Sequence, residues 1–136
     1  MDKGNFDSSA LVFNRSIELR IESTDQNDTL LAPSYNGLGT IITTEECLMD
    51  NEIQVRNKNF SREDYEDVFS KYLGGTNVIW LNKGIAGDDT HGHVDDITRF
   101  VNPNTVVSVM ESHPYDPNYI PIIEYRELLE VAKLVF

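Results

Sequence analysis

An α/β or α+β fold is predicted by three features of the sequence: short apolar and β-branched runs of strand length, two longer segments with apolar residues at helical spacing, and an order of strands, helix, strands, helix that occurs about twice. No residue-level repeat accompanies that order. With 136 residues, 40% of them hydrophobic, the chain holds enough apolar material for one domain-sized core. It is too short for two independent ones, so residues 1–136 read as one globular unit.

The elements follow in chain order. Ala10-Leu11-Val12-Phe13 and Ile17-Glu18-Leu19-Arg20-Ile21 read as strand across residues 10–21, the second alternating apolar with charged side chains as a half-buried strand does. From Glu22 to Asn36 the chain is rich in Ser, Asp, Asn and Thr, and Pro33, Gly37 and Gly39 follow, which predicts a surface loop or hairpin connection. Strand resumes at Thr40-Ile41-Ile42-Thr43. Ser61-Arg62-Glu63-Asp64 starts a helix over 62–72, because the serine oxygen accepts from an unpaired first-turn N–H and the acidic residues sit at the positive end of the dipole. Tyr65, Val68, Phe69 and Tyr72 share a face, and Gly74-Gly75 is the stop.

Asn77 to Leu81 is a short, continuously apolar strand expected to be covered on both faces. Gly84 to Gly92 is a loop. Residues 93–101 and 105–110 read as two strands paired through Asn102-Pro103-Asn104, a connection with turn chemistry. After Asp116-Pro117-Asn118 a second helix is expected over 119–133, with Pro121 tolerable only in its first turn and Ile122, Tyr125, Leu128, Leu129 and Ala132 as its buried stripe. The strands are expected to form one mixed sheet system carrying both helices. The apolar end, Leu134-Val135-Phe136, reads either as a docked terminal strand or as an element whose partner lies further along a longer chain.

Charge narrows the function classes. The formal charge is −12, from 23 acidic against 11 basic side chains, which repels phosphate backbones and anionic lipid. Nucleic acid and membrane partners are therefore not expected, whereas a small cationic substrate is compatible. The longest apolar runs fall far below the roughly 20 residues that span a bilayer. Met1-Asp2-Lys3-Gly4-Asn5-Phe6-Asp7 has neither a basic nor an apolar leader region, and the single cysteine, Cys47, excludes an internal disulfide framework. Both point to a cytoplasmic location.

Chemistry concentrates in Gly87-Asp88-Asp89-Thr90-His91-Gly92-His93-Val94-Asp95, where two of the three histidines meet three carboxylates. On an extended backbone residues i and i+2 face the same way, so His93 and Asp95 project together, with Asp89 returning from the loop before them. A carboxylate beside an imidazole favours the protonated ring, which suits a general acid that later acts as a base. The same spacing also fits loop residues that are solvated or bonded to one another.

Taken whole, this segment resembles the agmatine deiminase and bacterial, Porphyromonas-type, peptidylarginine deiminase family of guanidine-modifying (pentein) enzymes. The resemblance is carried by Val78-Ile79-Trp80-Leu81, Gly84-Ile85, Asp88-Asp89-Thr90-His91-Gly92-His93-Val94-Asp95 and Arg99-Phe100-Val101-Asn102-Pro103. Upstream, Gly39-Thr40-Ile41-Ile42-Thr43-Thr44-Glu45-Glu46-Cys47-Leu48 and Arg56-Asn57-Lys58-Asn59 extend it. The family-like part is residues 38–134 and residues 1–37 diverge, so the chain resembles an internal fragment: a single partial catalytic domain. The implied fold is a partial pentein-type α/β-propeller with about two ββαβ-like blades.

The implied chemistry is hydrolysis of agmatine to N-carbamoylputrescine and ammonia, a step toward putrescine, by a cysteine thiolate that attacks the guanidinium carbon. By that resemblance His93 is the catalytic proton donor and then base, Asp95 is catalytic in holding the guanidinium and orienting the histidine, and Asp89 is a second substrate-binding carboxylate. No cofactor or metal is implied. The implied partners are a guanidine substrate (agmatine or an arginine derivative) and the remainder of the catalytic domain, and a homo-oligomer is compatible. Agmatine, free arginine and peptidyl-arginine share the guanidinium, and agmatine is the substrate the resemblance favours.

Three departures stand out. Phe13-Asn14-Arg15-Ser16 replaces a Glu-Gly-Gly-like turn, no aspartate in an Arg-Asp setting precedes Asp25, and the family's late cysteine lies beyond Phe136. Cys47 does not fill that place: acidic neighbours raise a thiol pKa where a nucleophile needs it lowered, and a structural, partly buried cysteine is expected. Trp80 reads as core and His113 as surface. A rival reading notes that Thr90-His91-Gly92-His93-Val94-Asp95-Asp96 also resembles the His-x-His-x-Asp-His zinc signature of metallo-β-lactamase-fold hydrolases, with Asp96 in the last histidine's place. A non-catalytic binding fragment is the third reading.

Overall fold

The structure, a computed structural model, describes residues 33–132. The strands expected over 10–21 and the terminal Leu134-Val135-Phe136 lie outside the described residues. Within them the elements are β1 (Ser34–Tyr35), β2 (Thr40–Thr44), α1 (Glu45–Met49), α2 (Arg62–Leu73), β3 (Asn77–Leu81), a single 3₁₀ turn (Val94–Asp96), β4 (Thr98–Asn102), β5 (Thr105–Ser108) and α3 (Tyr119–Val131). This is a mixed α/β arrangement.

β2 is the middle of a three-stranded sheet, antiparallel to β1 and parallel to β3. Parallel neighbours need a crossover, and α1 with α2 supplies it. Because successive side chains leave a strand on opposite faces, Ile41 and Trp80 enter one core while Ile42, Ile79 and Leu81 enter the other. β3 is thus covered on both sides, as its unbroken apolar sequence predicts.

The first face is closed by α2, which buries Tyr65, Phe69 and Leu73. Val68 is only half-buried and Tyr72 is exposed, so the stripe runs i, i+4, i+8 through Leu73 rather than through Tyr72. Ser61 and Asp64 form a reciprocal capping box, and Gly74 ends the helix in the left-handed region at φ 67°. Tyr65 is central: its ring meets Phe60 at 5.2 Å and Trp80 at 6.2 Å, and its hydroxyl donates to the Leu48 carbonyl at 2.6 Å. Trp80 is core as expected, its indole N–H reaching out to Glu66 at 2.8 Å.

The second face is closed by α3, the 3₁₀ turn and the β4–β5 hairpin. Ile122 and Tyr125 of α3 are buried, with Leu128, Leu129 and Ala132 packed against them, and Pro121 lies in the first turn. β4 and β5 pair antiparallel, with Phe100 opposite Val106 and an irregularity before Asn102. Contrary to the expectation of one mixed sheet system, they form a sheet separate from β1–β3, joined to it where the Phe100 N–H donates to Ser34 Oγ at 2.9 Å.

One local expectation is corrected as well. Residues 94–96 do not continue a strand. Val94 and Ile97 are both 2% exposed, and a turn of three residues brings i and i+3 to one side, which a strand of period two does not. A short helix that the sequence reading did not include, α1, follows β2 without a loop: Thr44 caps it by accepting from the Cys47 N–H at 3.1 Å, and Glu45 and Glu46 occupy its first turn.

Candidate active site

The conspicuous loop is anchored from both ends before it offers any side chain. Thr44, the cap of α1, donates its hydroxyl to the Gly92 carbonyl, and the Asp88 carboxylate accepts from the Gly92 N–H at 2.7 Å and the Thr90 N–H at 2.7 Å. Burial opposes the charge on Asp88, but hydrogen bonds from the Thr90 hydroxyl and from the Thr90 and Gly92 N–H groups outweigh it and hold its pKa below the ordinary carboxylate range. His91 and Gly92 both adopt positive φ, 64° and 76°. The requirement for glycine is strictest at Gly84, where an added Cβ would stand 2.4 Å from the Gly92 Cα. The backbones on either side of the loop touch there.

This anchoring sends two neighbouring histidines to opposite kinds of partner. His91 Nε2 lies 2.7 Å from Asp50 Oδ2, with Glu46 3.9 Å from its other nitrogen. Asp50 is itself held low in pKa, first by the N–H groups of Glu52 and Ile53 and then by His91. His93, half-buried, instead meets a cation. Arg56 donates from Nε to the Cys47 carbonyl at 2.5 Å, and from Nη2 to Gln54 Oε1 at 2.7 Å and to His93 Nε2 at 3.1 Å.

The far edge of the imidazole turns to a carboxylate. Asp95 Oδ1 is 3.8 Å from His93 Nδ1, and Asp95 Oδ2 is 3.3 Å from Arg99 Nη2. The sequence-predicted pair is therefore brought together, although by the 3₁₀ turn and not by strand alternation. Asp95 Oδ1 is buried, and no donor among the described residues reaches it. A buried carboxylate oxygen in that condition is a receptive place for a donor.

Burial and then Arg56 lower the pKa of His93, and together they outweigh Asp95, Asp88 and Asp96, which act to raise it. The neutral ring is the favoured form near neutrality. That differs from the expectation that the carboxylates dominate.

Asp89 stands apart from this group in being exposed; the loop carboxylate whose charge acts on His93 is its neighbour Asp88. Cys47 is buried, and its thiol is pushed up to about 11, first by burial and further by Asp95, Asp88 and Glu46 against the opposing charge of Arg56. A thiol so raised is a poor nucleophile. His113 is exposed. A cleft of about 480 Å³ borders the site, with Glu45, Glu46, Asp50 and Lys83 among its walls. It opens beside the partners of His91 rather than on the His93–Asp95 pair.

Among the described residues no group of three or more His, Cys, Asp or Glu side chains is arranged to hold a metal. The lone pair that a zinc would need on His93 Nε2 already accepts from a guanidinium. Arg56, Glu46, Asp50 and Asp88 are the participants that spacing did not reveal. Arg56 lies 37 residues from His93 in sequence, too far for any periodicity to connect them.

The family model for Porphyromonas-type peptidyl-arginine deiminase matches residues 32–134. The chain belongs to that family. The agmatine deiminase of Pseudomonas syringae pv. tomato is 43% identical over 84 residues, which are 62% of this chain and 22% of that protein. The agmatine deiminase of Pseudomonas fluorescens is 42% identical over the same shares of the two chains. The solved structure of the agmatine deiminase of Enterococcus faecalis superposes with a TM-score of 0.65 at 32% identity, covering 72% of this chain and 26% of that one. The matched part spans about a quarter of the length of such relatives.

Proposed function

We propose that the chain carries the His93–Asp95 portion of an agmatine deiminase-type active site. It would form a single partial catalytic domain over 1–136, with 38–134 as the family-like part, supplying about two blades of a pentein propeller in a cytoplasmic enzyme. The observation that carries the reading is the oxygen of Asp95 that lies buried without a donor beside His93, on a chain of this family. A guanidinium N–H is the donor such an oxygen would accept, and it brings the charge that a carboxylate complements. The exposed Val101 and Val107 of the hairpin and Met110 just after it also favour a larger unit, since the remainder of the catalytic domain would cover them.

In the proposed reaction His93 takes the proton of a cysteine thiol, the resulting thiolate adds to the guanidinium carbon, and His93 gives that proton to the departing ammonia. His93 then takes a proton from water as that water attacks the thiouronium carbon, which releases the thiolate and a ureido product. Asp95 holds the guanidinium nitrogens, and Asp89 is proposed as a second binding carboxylate that substrate would draw in. Cys47, with its raised pKa, is not the nucleophile. The nucleophile would come from outside these 136 residues.

Agmatine incubated with the pure chain is expected to yield no ammonia or N-carbamoylputrescine above a blank. A longer form with the family's late cysteine, or a complementing fragment, is expected to restore turnover. His93→Ala should then lower that turnover by about 10²–10⁴-fold, the usual contribution of a positioned acid–base group. Activity of the pure chain that depended on Cys47 would overturn the reading.

A further inference from the structure

Arg56 has no part in the chemistry assigned above, yet among the described residues it makes the shortest polar contact to the His93 ring. Its guanidinium is held in a built cradle: the Cys47 carbonyl at 2.5 Å fixes Nε, and Gln54 Oε1 at 2.7 Å takes one N–H of Nη2. The remaining N–H of Nη2 then points to His93 Nε2 at 3.1 Å. An arginine can only donate, so this nitrogen must accept and the neutral ring must carry its proton on the other one. That other nitrogen, Nδ1, is the edge facing Asp95 Oδ1.

We propose that Arg56 is a positioning residue for His93: its cradled guanidinium fixes the imidazole with the proton on Nδ1, so that the N–H edge is presented toward Asp95 and the lone pair is reserved on Nε2. The inference rests on the reading of His93 as the proton-transfer group and adds the residue that sets its resting state. Proton uptake by His93 has to use the Nε2 lone pair and so breaks the Arg56 bond, placing two cations side by side. Arg56 and a proton therefore compete for one lone pair. The charged groups facing His93 are Arg56 from the segment after α1, Asp88 from the loop, and Asp95 and Asp96 from the 3₁₀ turn. Only the first opposes protonation.

Imidazole ¹⁵N spectra of the intact 136-residue chain across a pH titration test this without any turnover. His93 is expected to hold its proton on Nδ1 and to titrate below the ordinary histidine range, whereas a free imidazole prefers the proton on Nε2. In Arg56→Met, which keeps the stem and loses every donor, the His93 proton should move toward Nε2 and its midpoint should rise. His91, seated on Asp50, should keep its tautomer. Arg56→Lys covers the case in which the methionine variant does not fold; an ammonium lacks the planar fork that serves the Cys47 carbonyl, Gln54 and His93 together, so release of the tautomer is again expected. A wild-type His93 protonated on Nε2 overturns the proposal, as does a folded Arg56 variant with an unchanged His93 spectrum. If the tautomer holds while His93→Ala leaves a longer form active, the deiminase reading fails and this one stands.

Discussion

The two faces of the β2–β3 sheet are built on different terms. On the face under α2, Tyr65, Phe69 and Trp80 form an aromatic core with a capped helix over it, and the buried hydroxyl of Tyr65 is satisfied within the same face. On the other face the core of Val94, Ile97, Ile122 and Tyr125 lies beneath the loop that carries the histidines. Beside that loop, and bordered also by Cys47 of the first core, a buried carboxylate oxygen lacks a donor and a cation sits on an imidazole. Stability is therefore concentrated under α2, whereas the surroundings of the loop hold polar groups in a state that apolar packing alone would not select.

That contrast can be broken by substitution. The largest effect is expected from Tyr65→Ala, at about 3–5 kcal/mol of unfolding free energy in urea, because it removes an aromatic ring from the centre of a core. A loss below about 1 kcal/mol would mean that the first face is not the stabilising one. Gly84→Ala should cost about 1–3 kcal/mol, since its Cβ meets backbone that can only yield by moving the loop. Here the sharper reading is local: the Gly92 and His93 amide resonances should shift while those of α2 stay in place. Ser61→Ala should cost about 1 kcal/mol through loss of the capping box, and it should leave the His93 spectrum alone.

The smallest effect is a pH dependence set by the titratable groups around the histidine loop. The folded pKa of His93 is depressed, so the unfolded chain binds that proton more readily. Its contribution to stability is fully present above an unfolded value of about 6.5 and is lost as pH falls through the folded value. Asp50 and Asp88, also depressed, add a second loss at more acidic pH, below about 3.9 and down through their folded values. Urea midpoints measured downward from pH 8 should therefore fall first in the histidine range. A midpoint that rose there would contradict the assigned direction.

Elements governed by local rules were legible. Ser61, the apolar spacing and Gly74 mark α2; the unbroken run at 77–81 marks a strand covered twice; Pro121 and the stripe beyond it mark α3. The start of α1 was legible too in Thr44-Glu45-Glu46, a cap followed by acidic residues, but a strand pattern running into it hid the change. The 3₁₀ turn was not legible, because Val-Asp-Asp-Ile fits a strand until one knows that Val94 and Ile97 must enter the same core.

The candidate site divides along the same line. Residue type and short spacing were enough to place the chain in its family, to set His93 near Asp95 and to mark Cys47 as a poor nucleophile. Tertiary structure alone decided that Asp88 rather than Asp89 turns inward, that burial outweighs carboxylate charge in setting both Cys47 and His93, and that Arg56 seats itself on the imidazole. The physical reason is range. Capping, turning and alternation act over a few residues along the chain, whereas desolvation and Coulomb interaction act through space between groups that only the completed fold brings together.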